Sequence, residues 1–145
     1  MASLQRTLKE AVNVEGIGLH TGQAVTLNIL PAPENHGYKF QRMDLEGQPI
    51  ITADPDNVIS TQRGTTLEVK GARVYTTEHV LAALYGCKVD NALIQLNGPE
   101  VPIMDGSSSP FADAIIRVGF EDQKAERKYL ILKEKAAQIA PHMRG

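Results

Sequence analysis

Glu78 and His79 stand side by side and carry the chemistry most worth weighing in this sequence. They open a segment with helical periodicity. An acidic residue in a first helical turn offsets the positive helix end, so structure alone accounts for Glu78. The positive end also disfavours imidazolium, and neutral imidazole is the form that binds metals. A carboxylate next to such a ligand could take a proton from water held by the metal. Against that chemistry, there is no HExxH and no second histidine at ligand spacing. One imidazole does not make a catalytic zinc site, which takes three protein ligands and an open position.

Three other places invite the same question. The stretch Glu15-Gly16-Ile17-Gly18-Leu19-His20-Thr21-Gly22 is glycine-dense. Its glycines allow a tight connection before a strand, or a backbone lying close to a ligand with His20 in a site. It matches neither the phosphate-binding GxxxxGK[ST] loop nor a dinucleotide fingerprint. The stretch Pro102-Ile103-Met104-Asp105-Gly106-Ser107-Ser108-Ser109-Pro110 reads as a turn feeding a helix, and turn chemistry explains every residue except Asp105. Cys87 falls on an apolar helix stripe with only Lys88 as a basic neighbour, which makes it inert core.

These residues need elements to hold them. Val80, Leu84 and Cys87 follow i, i+4, i+7 and predict a helix over Glu78 to Tyr85, capped by Thr76 or Thr77 and ended by Gly86. A second helix runs from about Pro110 to Val118, with Ser109 as its cap and Phe111, Ile115 and Val118 facing the core. Period-2 alternation marks strands at Val25 to Ile29 and Ala92 to Leu96, and more loosely at Tyr38 to Met43. Leu67 to Lys70 and Arg73 to Tyr75 flank Gly71-Ala72 and predict a hairpin. Tyr129 to Leu132 reads as a last strand. Six or so strands with two helices fit an α+β, two-layer sandwich: a mostly antiparallel sheet with both helices on one face, as in ribosomal protein domains.

Composition narrows the class. The chain has 145 residues, of which 42% are apolar and 22% charged, enough for a core without disulfides. A net charge of −2 argues against a nucleic-acid partner, which demands a basic face. No apolar run approaches the roughly 18 residues of a membrane span. One cysteine and no signal-like N-terminal stretch indicate a cytoplasmic protein.

Taken in order, Arg6-Thr7-Leu8, Gly16-Ile17-Gly18-Leu19-His20-Thr21-Gly22, Thr77-Glu78-His79-Val80-Leu81-Ala82-Ala83-Leu84, Asp90-Asn91 and Pro99 through Phe111 form a specific combination. It resembles the N-terminal half of the zinc-dependent UDP-3-O-acyl-N-acetylglucosamine deacetylases of lipid A biosynthesis. The likeness implies a hydrolase that removes an acetyl group from a UDP-sugar lipid precursor. Such enzymes have two similar α+β domains packed helix layer to helix layer around the active site. By the resemblance, His79 is a zinc ligand and Glu78 the general base, with His20 and Asp105 as candidate site-lining residues. The family's other two zinc ligands, a histidine and an aspartate on one helix, have no counterpart in these residues. His36 and His142 stand in a turn and a tail and do not replace them. The chain is thus expected to be a first domain over residues 1–134, with 135–145 as linker or cloning-derived tail. It would carry one zinc ligand of three, be inactive alone, and expose a helix layer to a second domain or to another copy. The competing reading is a non-enzymatic binding module of the same architecture.

Overall fold

The computed structural model describes residues 3–59 and 61–127. Ten strands and two helices follow in order: β1 (Leu4–Leu8), β2 (Val12–Ile17), β3 (Ala24–Pro31), β4 (Tyr38–Arg42), β5 (Ile50–Thr52), β6 (Val58–Ile59), β7 (Thr66–Val69), β8 (Ala72–Val74), α1 (Glu78–Gly86), β9 (Ala92–Leu96), α2 (Ser109–Val118) and β10 (Phe120–Glu126). The main sheet has the order β2-β3-β9-β4-β5, antiparallel throughout except for the β4–β9 pair. A small sheet holds β6, β7 and β8, and β1 pairs with β10 alone. The expected α+β sandwich is what forms.

Alternation sorts the main sheet into two faces. Val12, Val14, Val25, Leu27, Ile29, Phe40, Ile51, Ile94 and Leu96 are buried on one. Val80, Leu81, Ala83 and Leu84 of α1 and Phe111 and Ile115 of α2 complete the same core. The other face is mixed, with Leu30 opposite Leu93, and is cross-linked by side-chain amides: Asn13 donates to Asn28 at 2.7 Å, and Gln95 to Gln41 at 3.0 Å. Removing methylenes from water on the inner face supplies the drive to fold, at about 25 cal/mol per Å².

Several local expectations need correcting. The hairpin turns at Lys70-Gly71, not Gly71-Ala72; both residues have positive φ (50° and 85°), as a two-residue primed turn requires. Neither Thr76 nor Thr77 caps α1 through its side chain. The Thr77 hydroxyl instead donates to the Thr65 carbonyl at 3.0 Å. After α1 the left-handed residue is Lys88, with φ 59°, rather than Gly86. Ser109 is the first residue of α2, one place inside the helix, and Ser108 precedes it. Glu15-Gly16-Ile17 belong to β2, not to a loop. A strand at Tyr129 to Leu132 lies outside the described residues. Phe120–Glu126, a charged segment with little strand propensity, is a strand because β1 pairs with it.

The β1–β10 ribbon is fastened by buried polar groups. Asn91 donates to Gln5 Oε1 at 2.9 Å and to Gln123 Oε1 at 2.7 Å, and Gln5 donates to the Glu126 carbonyl at 2.9 Å. The Asp90 carboxylate accepts from the Arg6 N–H at 2.8 Å and from Arg127 Nε at 3.0 Å. Burial drives the Tyr38 phenol far above its usual pKa, reinforced by the nearby Asp90 charge, and its hydroxyl donates to the Val89 carbonyl. No helix among the described residues is long and apolar enough to cross a membrane.

Candidate functional site

Glu78 and His79 open α1, both half-buried. The imidazole is therefore not sunk in the core. Glu78 Oε2 accepts the Thr65 N–H at 3.1 Å. The loop before β7 wraps this carboxylate closely: a Cβ on Gly64 would stand 2.5 Å from Glu78 Oε1, and Gly64 has φ 80°. Two independent reasons thus demand glycine there, space and backbone conformation. Sequence reasoning assigned no role to Ser60 through Thr65. The only available signal was Gly64 itself, since a contact between loop and helix leaves no periodicity.

The same loop supports the turn into α1. Thr77 N–H and hydroxyl both donate to the Thr65 carbonyl, at 3.1 and 3.0 Å. The Arg63 guanidinium stacks over the Tyr75 ring at 4.7 Å. Thr65 Oγ1 is buried with no hydrogen-bond partner among the described residues.

Asp105 sits in the turn before α2. Its Oδ1 accepts from Ser107 Oγ at 2.7 Å and from the Ser107 N–H at 2.9 Å. These two hydrogen bonds, chiefly the hydroxyl one, lower its pKa, and the charge of His79 adds a smaller downward push. Ser107 Oγ in turn accepts from the Ser109 N–H at 3.2 Å, while Ser108, the residue at the cap position, makes no side-chain cap bond.

His20 has an exposed side chain, but its backbone is held firmly. Its N–H donates to Glu100 Oε1 at 3.0 Å, and the Thr21 N–H donates to the same oxygen at 2.9 Å. Glu100 is only 1% exposed; in the sequence it stands within the Pro99-to-Phe111 segment, and nothing in its type or spacing marks it as a site residue. Burial pushes its pKa up, yet the bonds from Thr76, Thr21 and His20 together outweigh that and hold it below the usual 4.5. The loops also meet through Gly16, whose missing Cβ makes room for Pro102 at 2.8 Å and for Met104 Sδ at 3.0 Å. Beside this junction Ile17 and Leu19 are exposed at 57% and 58%.

The comparisons with known proteins agree on one family. The model for UDP-3-O-acyl N-acetylglycosamine deacetylases matches residues 5–141, nearly the whole chain. The chain belongs to this deacetylase family. It is 53% identical over 131 residues to the bifunctional enzyme LpxC/FabZ of Bacteroides thetaiotaomicron, covering 90% of this chain and 28% of that protein. It is 50% identical over 134 residues to the UDP-3-O-acyl-N-acetylglucosamine deacetylase of Thermosynechococcus vestitus, covering 92% of this chain and 47% of the relative. With the Methylococcus capsulatus deacetylase the identity is 42% over 146 residues, 95% of this chain and 48% of the relative. The chain therefore spans about half the length of the deacetylases it matches, and less of the bifunctional enzyme.

For a member of the deacetylase family, the donor set of these residues is short. Among the described residues no three His, Cys, Asp or Glu side chains gather in a group able to hold a metal ion. His79 and its neighbour Glu78 do not by themselves fit a zinc ion, which needs more ligands fixed together.

Two outcomes follow from this geometry. Gly64→Ala drives a methyl into the Glu78 carboxylate and takes a left-handed backbone, so unfolding free energy falls by about 1–3 kcal/mol, read from urea denaturation. Glu100 has a depressed pKa in the fold, so its charge stabilises above the usual value and that stability is lost as pH falls through the lower folded value. The stability gap between wild type and Glu100→Gln is therefore widest above the usual carboxylate range and narrows as pH falls below it in denaturation series.

Proposed function

We propose that this chain is the first domain of a UDP-3-O-acyl-N-acetylglucosamine deacetylase acting in the cytoplasm, with the domain over residues 1–134 and a linker or cloning-derived tail over 135–145. The observation that carries the proposal is the pairing of Glu78 and His79 at the mouth of α1, half-buried and clasped by the Gly64-Thr65 loop. In this reading His79 is the first domain's zinc ligand, and a histidine and an aspartate of a second domain supply the others. Zinc would contribute Lewis-acid chemistry at the amide carbonyl.

The chain's own part is proton handling and orientation. Water attacks the acetamide carbonyl carbon, and Glu78 accepts the proton that this oxygen gives up. The carbon–nitrogen bond then breaks, releasing acetate and a free amine on the sugar, with the amine protonated by a second-domain histidine. Thr65 ties down Glu78 Oε2, and Gly64 packs against Oε1, so the loop fixes the carboxylate that takes the proton. In this reading Asp105 and His20 line the site from the two neighbouring loops. The competing reading, a non-enzymatic module, has no comparable support, since the relatives are named as deacetylases.

Helix residues Tyr85 and Ile116 are exposed, at 37% and 58%, and the second domain would cover this layer. On the chain alone the layer stays open, so light scattering at rising concentration should report association; a monomer at every concentration would count against a helix-layer interface.

The chemical test is an acetate-release assay on a protein in which this domain is joined to its second half. Glu78→Gln should lower kcat by about 10²–10⁴-fold with KM little changed, the pattern of a lost general base. A Glu78→Gln enzyme turning over at the wild-type rate would refute the assignment. The 145-residue chain alone should release no acetate from the UDP-sugar substrate.

A further inference from the structure

The candidate residues lie on separate stretches of chain, and one side chain reaches two of them. Glu100 accepts the N–H groups of His20 and Thr21 and also the Thr76 hydroxyl, which approaches Oε2 at 2.6 Å. Thr76 stands two residues ahead of Glu78. Its φ of 60° places a β-branched residue in the left-handed region, a conformation that persists only when its surroundings enforce it. The enforcing contacts are visible: the hydroxyl on Glu100 and, at 3.0 Å, on the Arg63 carbonyl. Backbone bonds flank the same turn, from the Tyr75 N–H to the Pro99 carbonyl at 2.8 Å and from the Val101 N–H to the Tyr75 carbonyl at 3.1 Å. On the other side a Cβ at Gly18 would sit 2.5 Å from Glu100 Oε1, so the glycine loop closes directly onto the carboxylate.

We infer that Glu100 is a positioning residue of the site, a single buried carboxylate that sets the His20 loop and the launch of Glu78-His79 in register with each other. It touches neither substrate nor metal in this role. It acts by fixing where two other groups start. The inference rests on the deacetylase reading for what the site does, but not for whether the two segments are coupled.

Coupling can be measured on the 145-residue chain without any turnover. The probes are amide hydrogen exchange at His20 and Thr21 and the backbone and imidazole resonances of residues 76–79, in isotope-labelled protein. Glu100→Ala removes both arms. Exchange at His20 and Thr21 should quicken by about tenfold or more, since each loses a bond to a charged acceptor. The 76–79 resonances should move with it, including the His79 ring, while Phe40, Ile51 and Ile94 in the main sheet stay in place.

Glu100→Gln is the rescue. Its amide oxygen still accepts both N–H groups, and its amide NH2 can donate to Thr76 Oγ1, whose own proton turns to the Arg63 carbonyl. Positions 20–21 and 76–79 should therefore stay near wild type. Thr76→Val cuts only the helix arm, moving residues 76–79 and leaving exchange at His20 and Thr21 within about twofold. Should Glu100→Ala fail to fold, the Gln and Val variants decide the matter. Unchanged exchange in Glu100→Ala, an unmoved His79 ring in Thr76→Val, or main-sheet resonances shifting as far as those of the loops would each overturn the inference. Failure of the deacetylase reading would show instead in acetate release, which none of these measurements uses.

Discussion

A carboxylate taken out of water needs replacements for its hydration shell, and at Glu100 they are two backbone N–H groups and one hydroxyl. No lysine or arginine pairs with it among the described residues. Dipoles alone satisfy the charge. That choice has a structural result, because the donors come from two separate stretches of chain, His20-Thr21 and Thr76, and both must stand still for the carboxylate to be tolerated. The glycine at position 18, the left-handed turn at Thr76 and the bridge between Tyr75 and Glu100 all accompany it. A guanidinium in the same place would have satisfied the charge from one side chain and left the loops untied.

The second polar solution lies at the opposite end of the domain. Gln5, Asn91 and Gln123 exchange amide hydrogen bonds in a buried seam, and Thr7 Oγ1 donates to the Asn91 carbonyl at 2.7 Å while accepting the Ala32 N–H at 3.0 Å. Such a seam adds less stability than an apolar one, but it permits only one alignment of its members. Beneath it the core is ordinary, with aliphatic side chains from the main sheet packed on two helices. The division is physical: apolar area supplies the drive, and polar pairing selects the register.

What the sequence disclosed follows the same division. β3, β4, β9 and both helices were legible because their apolar residues keep a period of 2 or 3.6. β1 was hidden because its inward residues include Gln5 and Thr7, so its polar side is the buried one. β10 was hidden because it is charged and owes its conformation to a partner far away in the chain. At the site, types and spacing only raised Glu78, His79, His20 and Asp105 as a question, and it was the likeness of the whole set of segments to the deacetylase family that nominated them. Glu100 was not nominated, since a buried acid has no periodicity and declares itself only through the donors around it. The Gly64-Thr65 clasp was invisible for a similar reason: it is a contact between a loop and a helix start, and spacing does not encode it.

The pairing of β1 with β10 has a further consequence. Leu8 lies opposite Phe120 and Leu4 opposite Glu126, so the earliest strand has no partner until almost the last described residue exists. Contacts this distant along the chain are slow to form, because a large loop must close first. On the ribosome the main sheet and α1 can assemble, and Gln5 and Thr7 can already meet Ala32, Asn35 and Asn91, while the β10 edge of β1 still faces water. The domain is sealed only when its tail returns to its head, so a nascent chain stalled before Phe120 would present an open edge and unsatisfied amides to its surroundings.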